Sequence, residues 1–253
     1  MLHFENKDII RSVCVPLLLI FFNCNVAAAA EYNISSYSKI GLSREPIQID
    51  GVTSRFGIGG TGINMKFKPT QRFEFGASYL LAYYPNYTTI YRNTKLSGSM
   101  SGNTNEIDAN VMLGVYENLK IHLVASLLDG KYGSDSLTGT KNGTVLSSSS
   151  TLIAKQRELG IKMDYPISEW KKFSLDFGIQ NWNILAEGIT FLDGDNDPIR
   201  KKIKAQNTDP YLGMSYVVNG NGIDWEFKYQ LSRLTAEKVT YVDEVSMLIN
   251  VDF

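Results

Sequence analysis

Residues 106–127 read EIDANVMLGVYENLKIHLVASL, and they contain the pattern from which we infer the architecture of the chain. On both sides of Glu117-Asn118, apolar residues occupy every second position and polar residues many of the positions between them. Side chains of a β-strand point alternately to opposite faces, so this period of two predicts strands with one apolar and one polar face. The two-residue connection between them, Glu117-Asn118, predicts an antiparallel hairpin.

The same alternation returns along the chain and predicts an all-β protein of ten strands. Gly41 and Pro46 weaken the first strand, and the parity of the seventh is lost after Ile179, which suggests a bulge at Asn181. The predicted strands are 33–45, 55–67, 72–84, 105–116, 119–131, 153–165, 172–187, 205–218, 223–234 and 240–253.

The lengths of the connections distinguish a membrane barrel from a soluble sandwich, which shows the same alternation. Every second connection is short, namely 68–71, 117–118, 166–171 and 219–222. The connections between these are mostly long and rich in Ser, Thr, Gly, Asn and Asp, and we expect polar loops at 85–104, 132–152 and 188–204. Short turns at one end and long polar loops at the other are typical of bacterial outer-membrane barrels.

The last predicted strand carries a more specific feature. Val245, Met247, Ile249, Val251 and Phe253 alternate with less apolar residues, and the sequence stops on Phe253. This pattern resembles the terminal strand of outer-membrane barrels, whose final aromatic residue is read by the assembly machinery. Residues 31–253 therefore resemble the small bacterial outer-membrane β-barrel (OMP-like, porin-type) superfamily, and no motif assigns a subfamily. The resemblance implies a transmembrane antiparallel up-and-down β-barrel of ten strands, with eight or twelve as alternatives.

Residues 1–30 have the pattern of a cleaved signal peptide. Lys7 and Arg11 precede an apolar run, 13–22, which is too short to cross a bilayer as a helix. The small residues 27–30 then precede Glu31 and resemble a cleavage site. We expect export and a domain over 31–253, located in the outer membrane of a Gram-negative cell. A membrane-anchoring helix is the alternative.

Charge and cysteine content exclude several classes of protein. Lys and Arg number 25 against 26 Asp and Glu, so no basic surface is expected to recruit nucleic acid. Cys14 and Cys24 both lie in the predicted signal peptide, which leaves residues 31–253 without disulfides or thiolate metal sites.

The polar face of the strands predicts a charged barrel interior. Barrels of about eight strands are just wide enough for side chains to fill them, so ten strands with both signs of charge predict a largely closed lumen. A narrow polar pore is the alternative. The residues expected to line the lumen are Glu106, Asp108, Lys120, His122 and Lys228.

The sequence predicts no catalytic residue, cofactor or metal site. His122 is the one histidine in residues 31–253, and Ser126 on the same face is about 13 Å away along the strand, too far for a hydrogen bond. The run 193–198, DGDNDP, could surround a hard cation, but its residues are also ordinary turn formers and no EF-hand glutamate follows. We therefore expect a structural histidine and a solvated turn.

These observations favour a non-enzymatic outer-membrane protein with a structural or surface-interaction role through its exposed loops. The first alternative is a narrow channel for ions or small polar solutes, and a more distant one is a surface hydrolase. Expected partners are outer-membrane lipid, lipopolysaccharide and, through Phe253, the assembly machinery. Arg200, Lys201 and Lys202 could contact lipopolysaccharide phosphates. The oligomeric state is not indicated.

Overall fold

A computed structural model describes residues 31–251 except 51, 56, 92–93, 143, 193–198 and 221–222. The predicted signal peptide, the run 193–198 and Phe253 lie outside the described residues. In the described part we find no helix of the length and apolarity needed to cross a membrane. The strands found there are β1 (Glu31–Ser43), β2 (Ile47–Ile49), β3 (Val52–Arg55), β4 (Gly57–Thr70), β5 (Phe73–Tyr91), β6 (Thr94–Tyr116), β7 (Leu119–Lys141), β8 (Thr144–Ser168), β9 (Lys171–Leu192), β10 (Ile199–Asn219), β11 (Ile223–Thr235) and β12 (Val239–Val251).

Ten of these described strands close into a ring, which confirms the predicted antiparallel up-and-down barrel. The order around the ring is β1, β4 and then β5 to β12, and β12 pairs back with β1 from Ile34↔Val251 to Ser43↔Val242. Each strand of the ring is therefore hydrogen-bonded on both sides over part of its length, which closes the barrel. The first part of β10, from Ile199 to Pro210, pairs with β9 alone among the described strands.

Strands β2 and β3 form a short hairpin in the connection between β1 and β4, and we call residues 47–55 the cover hairpin. β3 pairs with β5 from Val52↔Tyr91 to Arg55↔Thr88. Asp50 in the turn has a positive φ of 49°. Ile47 and Ile49 of β2 are buried against strands from the other side of the ring, so the hairpin lies across one mouth of the barrel.

The two faces of the strands divide as the alternation predicts. Their outward faces carry exposed apolar side chains, which we call the apolar belt, and this matches the lipid-facing surface of a membrane barrel. The aromatic residues Tyr79, Tyr83, Tyr165, Trp225 and Tyr241 lie on this face and are exposed. Further members of the belt are Ile63, Leu81, Ile107, Leu113, Leu127, Leu159, Phe177, Ile179, Leu212, Phe227 and Val245.

The prediction of long loops at 85–104, 132–152 and 188–204 is wrong, because most of these residues belong to strands. β5 continues to Tyr91, β7 to Lys141 and β9 to Leu192, and their partners begin within a few residues. Their Ser- and Thr-rich composition suggested loops, but a paired strand satisfies the backbone whatever the polarity of its side chains. We call the parts of β5 to β10 that continue beyond the apolar belt the wall. The end of the barrel at which they lie is the hairpin end, and the opposite end is the turn end.

The predicted bulge at Asn181 is also wrong. β8 and β9 pair without a register shift from Leu146↔Leu192 to Tyr165↔Phe173. Asn181 points outward and is exposed, whereas Trp182 is buried and Ile184 is partly buried inside. The alternation of polarity is lost in the sequence because the inside of the barrel becomes apolar at this level and the outside becomes polar.

Glycines on the strands make room for neighbouring backbone and side-chain atoms. Gly62 pairs with Leu80, and a Cβ on Gly62 would lie 2.8 Å from the Leu80 Cα. A Cβ on Gly76 would overlap the carboxylate of Asp108, its partner on β6. Gly62, in the run 57–62, thus allows a close approach of the β5 backbone.

Candidate functional site in the barrel interior

The turn-end half of the interior is a charged compartment. It contains about 940 Å³ of empty space, part of which is open to solvent. Among the residues predicted to line the lumen, the structure places Glu106, Asp108 and Lys228 in its wall. The other charged side chains that line it are Lys66, Glu74, Glu158, Lys162, Asp176 and Glu226.

Ion pairs in this compartment connect strands that are not neighbours in the ring. Lys66 of β4 lies 3.3 Å from Glu226 of β11, and Lys228 of β11 lies 3.9 Å from Asp176 of β9. These pairs bridge one or two intervening strands, because inward side chains of a narrow barrel converge towards its axis. They hold the charges of the lumen in fixed positions and fill part of its cross-section.

Asp164 of β8 is the centre of a second charged cluster, close to the turn end. Its carboxylate lies 3.2 Å from the Lys172 ammonium group, 3.6 Å from that of Lys162 and 3.6 Å from the His122 Nε2 atom. The Asp164 side chain is only 8% exposed. Three potential cations therefore share one buried anion.

The structure separates the remaining residues that the sequence grouped with the lumen. Lys120 is exposed at the turn-end rim. The His122 Nε2 atom has no hydrogen-bond partner among the described residues, and the Ser126 hydroxyl donates instead to Glu158 over 3.1 Å. His122 and Ser126 thus belong to different groups of side chains, and the arrangement is not that of a nucleophile activated by a histidine.

A polar layer follows towards the middle of the barrel. The Glu158 carboxylate accepts hydrogen bonds from the side-chain amides of Gln156 over 2.6 Å and Gln230 over 2.7 Å, in addition to that from Ser126. Gln156 also donates to Gln180, whose side chain is completely buried. Sequence reasoning missed these glutamines because an uncharged polar residue on a strand gives no indication of its partners.

An apolar cluster, which we call the waist, lies beyond this layer. The Tyr84 and Tyr132 rings meet edge to face with centroids 5.2 Å apart, and the hydroxyl groups of Tyr132 and Thr104 are 2.7 Å apart. Met100 is 2% exposed and so is Leu80. The waist consists of the buried residues Tyr37, Leu80, Ala82, Tyr84, Met100, Tyr132, Leu152 and Leu248.

The hairpin-end half of the interior is an apolar compartment between the wall and the cover hairpin. It holds about 900 Å³ of empty space, partly open to solvent. Ile47 and Ile49 of the hairpin form one side, and Ile184 and Ile203 of the wall lie opposite. The lining shares no residue with that of the charged compartment, so the waist separates two spaces of opposite chemistry.

Ion pairs and hydrogen bonds hold the cover hairpin in place. Asp50 in its turn pairs with Lys201 on β10, and the Asp50 backbone N–H donates to the Glu237 carboxylate. Just before the hairpin, the Thr240 hydroxyl donates to the carbonyl group of Glu45 over 3.2 Å. Lys201 is thus a contact of the hairpin, and it is separated from Arg200 and Lys202, which point to the outside.

Basic residues cover the outer surface of the wall immediately beyond the apolar belt, and we call them the collar. On β8, Arg157 and Lys155 follow the belt residue Leu159 at alternate positions, and both are exposed. Lys155 pairs with Asp129 over 3.5 Å, where both side chains are more than half exposed. The other exposed basic residues of the collar are Lys131, Arg200, Lys202, Lys204 and, on the adjacent β11, Arg233.

The described residues contain no cluster of three or more His, Cys, Asp or Glu side chains that could hold a metal ion. The run 193–198, for which the sequence left a cation site as an alternative, is outside that part of the chain.

The fold of the chain is similar to those of several solved membrane barrels. The translocator domain of the autotransporter NalP from Neisseria meningitidis matches with a TM-score of 0.53 and 9% identity, over 98% of this chain and 96% of that one. The outer-membrane protease OmpT from Escherichia coli matches with a TM-score of 0.48 and 10% identity, over 87% of this chain and 94% of that one. The attachment invasion locus protein Ail of Yersinia pestis matches with a TM-score of 0.35 and 8% identity, over 88% and 97% of the two chains. No family model and no curated protein matches the sequence.

Proposed function

Because the chain has the fold of the outer-membrane β-barrel proteins, we propose that it is a non-enzymatic integral outer-membrane protein of a Gram-negative cell, which acts at the cell surface through the wall. The observation that carries this proposal is the continuation of β5 to β10 beyond the apolar belt. On β8, residues 144–158 follow the belt, and at 3.3 Å per residue they extend about 50 Å along the strand. In this proposal the hairpin end faces outward and the turn end faces the periplasm.

The collar supports lipopolysaccharide as the partner that anchors the wall. Its basic side chains begin at the upper edge of the apolar belt, where the phosphate groups of the outer leaflet lie. Among the described side chains on the outer face of this part of β7 to β10, Lys131, Lys155, Arg157, Lys202 and Lys204 outnumber the acidic residues Asp129 and Glu187. Lysine and arginine side chains near an anionic lipid surface contribute about 1 kcal/mol each to binding.

Neutralising the collar tests this partner. We expect the variant Arg157→Gln, Lys202→Gln, Lys204→Gln to bind purified lipopolysaccharide about tenfold to a hundredfold more weakly than the unchanged protein, because three surface cations are lost. Binding is measured on protein in nanodiscs of zwitterionic lipid, at two salt concentrations.

The matched control removes the same number of charges from the turn end. Arg72, Lys120 and Lys171 are exposed there, so replacing all three with glutamine should leave lipopolysaccharide binding unchanged. Equal binding by the two triple variants, or binding that does not weaken with salt, would contradict the collar as the site.

The channel alternative receives support from the charged compartment and is opposed by the waist. A lumen with Glu106, Asp108 and Lys228 in its wall has the polarity of a pore. The tightly packed Tyr84, Met100 and Tyr132 interrupt it, and an apolar constriction blocks ions even where it is not completely filled. We therefore propose a barrel that does not conduct ions in its resting state.

A further inference from the structure

The apolar compartment has the composition of a ligand pocket and not of a protein core. A core packs to high density, whereas the space beneath the cover hairpin is left partly empty and partly open to solvent. Binding pockets for small molecules combine mostly apolar walls with a few polar groups. The wall residues Leu96, Leu137, Leu152, Ile184 and Ile203 supply such an apolar lining.

The polar groups of the compartment indicate an uncharged ligand. The charged residues of the lining are Lys201, which Asp50 already neutralises, and Glu187, which is exposed and alternates with the inward Ala186. Ser54 and Thr89 bond to each other over 3.0 Å. The buried Ser150 hydroxyl oxygen has no hydrogen-bond partner among the described residues, although it belongs to the lining. One free hydroxyl group in an apolar wall suits a molecule with a single polar atom.

We infer that the apolar compartment binds a small, uncharged, mainly apolar molecule, with its polar atom directed to the Ser150 hydroxyl group and the cover hairpin above it. The ligand enters from the hairpin end, because the waist closes the route through the barrel from the turn end. The site depends on the fold alone, so it stands or fails independently of the surface role and of lipopolysaccharide binding.

Trp182 provides a built-in reporter for this site. It is 3% exposed, and it packs with Ile47 and Ile49, which line the compartment. Replacing Trp170 and Trp225 with phenylalanine removes the other tryptophans of residues 31–253, one at a turn and one in the apolar belt. In this background, with the protein in nanodiscs, N-phenyl-1-naphthylamine serves as an uncharged apolar probe that quenches Trp182 by energy transfer.

We expect saturable quenching, and we expect Ala186→Phe to weaken the apparent affinity roughly tenfold or more, because the added ring occupies the pocket. Ala186 lines the compartment, whereas the neighbouring Leu185 points to the opposite face of β9. Leu185→Phe is therefore the matched control and should bind like the parent.

Two results would overturn the inference. Quenching that rises linearly with probe and is the same in all three proteins would mean partition into lipid only. Quenching that becomes saturable only after residues 193–198 are replaced by a short Asn-Gly turn would mean that this segment of the chain itself fills the compartment.

Discussion

Replacing Tyr84, Met100 and Tyr132 together with alanine is expected to convert a silent barrel into one that conducts ions in discrete steps. These three side chains come from β5, β6 and β7, and they form the centre of the waist. Their loss joins the charged compartment to the hairpin end and removes the apolar barrier that excludes water and ions. The measurement is single-channel recording of refolded protein in a planar bilayer, with folding shown by the heat-dependent mobility on a gel.

The control removes large side chains from the outside at a similar level. Leu81, Tyr83 and Leu127 are exposed members of the belt or its edge, so their replacement with alanine should leave the bilayer silent. In the opened barrel, Glu106→Gln should lower the preference for cations, because Glu106 lines the charged compartment. Equal conductance of the unchanged protein and the waist variant would show that the waist does not close the lumen.

Asp164→Asn is expected to lower the free energy of unfolding by about 3 kcal/mol, the scale at which one partner is lost from a buried ion pair. The substitution keeps the size of the side chain and leaves Lys162 and Lys172 without their shared anion. Urea unfolding in phospholipid vesicles measures the change, because the unfolding free energy falls linearly with denaturant concentration.

Asp129→Asn is the matched comparison, because it removes the anion of an exposed ion pair, whereas Asp164→Asn removes that of a buried one. Asp129 also forms an ion pair, with Lys155, but its side chain is 55% exposed and lies on the outer surface. Exposed pairs contribute at most about 1 kcal/mol, so this variant should remain close to the parent. Similar losses for both substitutions would mean that the lumen cluster is as well solvated as the outer surface.

The architecture was predictable because membrane barrels follow a simple alternation. Strands around Glu117-Asn118 and the short turns could be located from the sequence, since each one-residue step changes the face of the side chain. The upper part of the wall could not be recognised in the same way. Beyond the apolar belt, around positions such as Ser147 and Ser149, both faces of the strand can be polar, and the alternation no longer shows in the sequence.

The candidate site was only partly predictable for a related reason. Glu106, Asp108 and Lys228 could be assigned to the interior because the opposite face of their strands is apolar, so a charged side chain on the polar face points into the barrel. The waist and the apolar compartment were missed because their members, such as Tyr132 and Ile184, stand at the inward positions where polar residues are expected. At Asn181 and Trp182 the outward position becomes polar and the inward position apolar. This exchange of faces is the signal in the sequence that could have located the waist and the apolar compartment.

The division of the interior by the waist is tested most directly by the accessibility of single cysteines. Both cysteines of the sequence precede residue 31, so Ser150→Cys and Ser126→Cys each place one thiol in the described barrel, in the apolar and the charged compartment respectively. Intact cells are treated with a membrane-impermeant maleimide. We predict that the thiol at position 150 reacts and that the one at position 126 reacts only when the waist is opened by the triple alanine substitution. Equal labelling of both thiols with the waist unchanged would contradict two separate compartments.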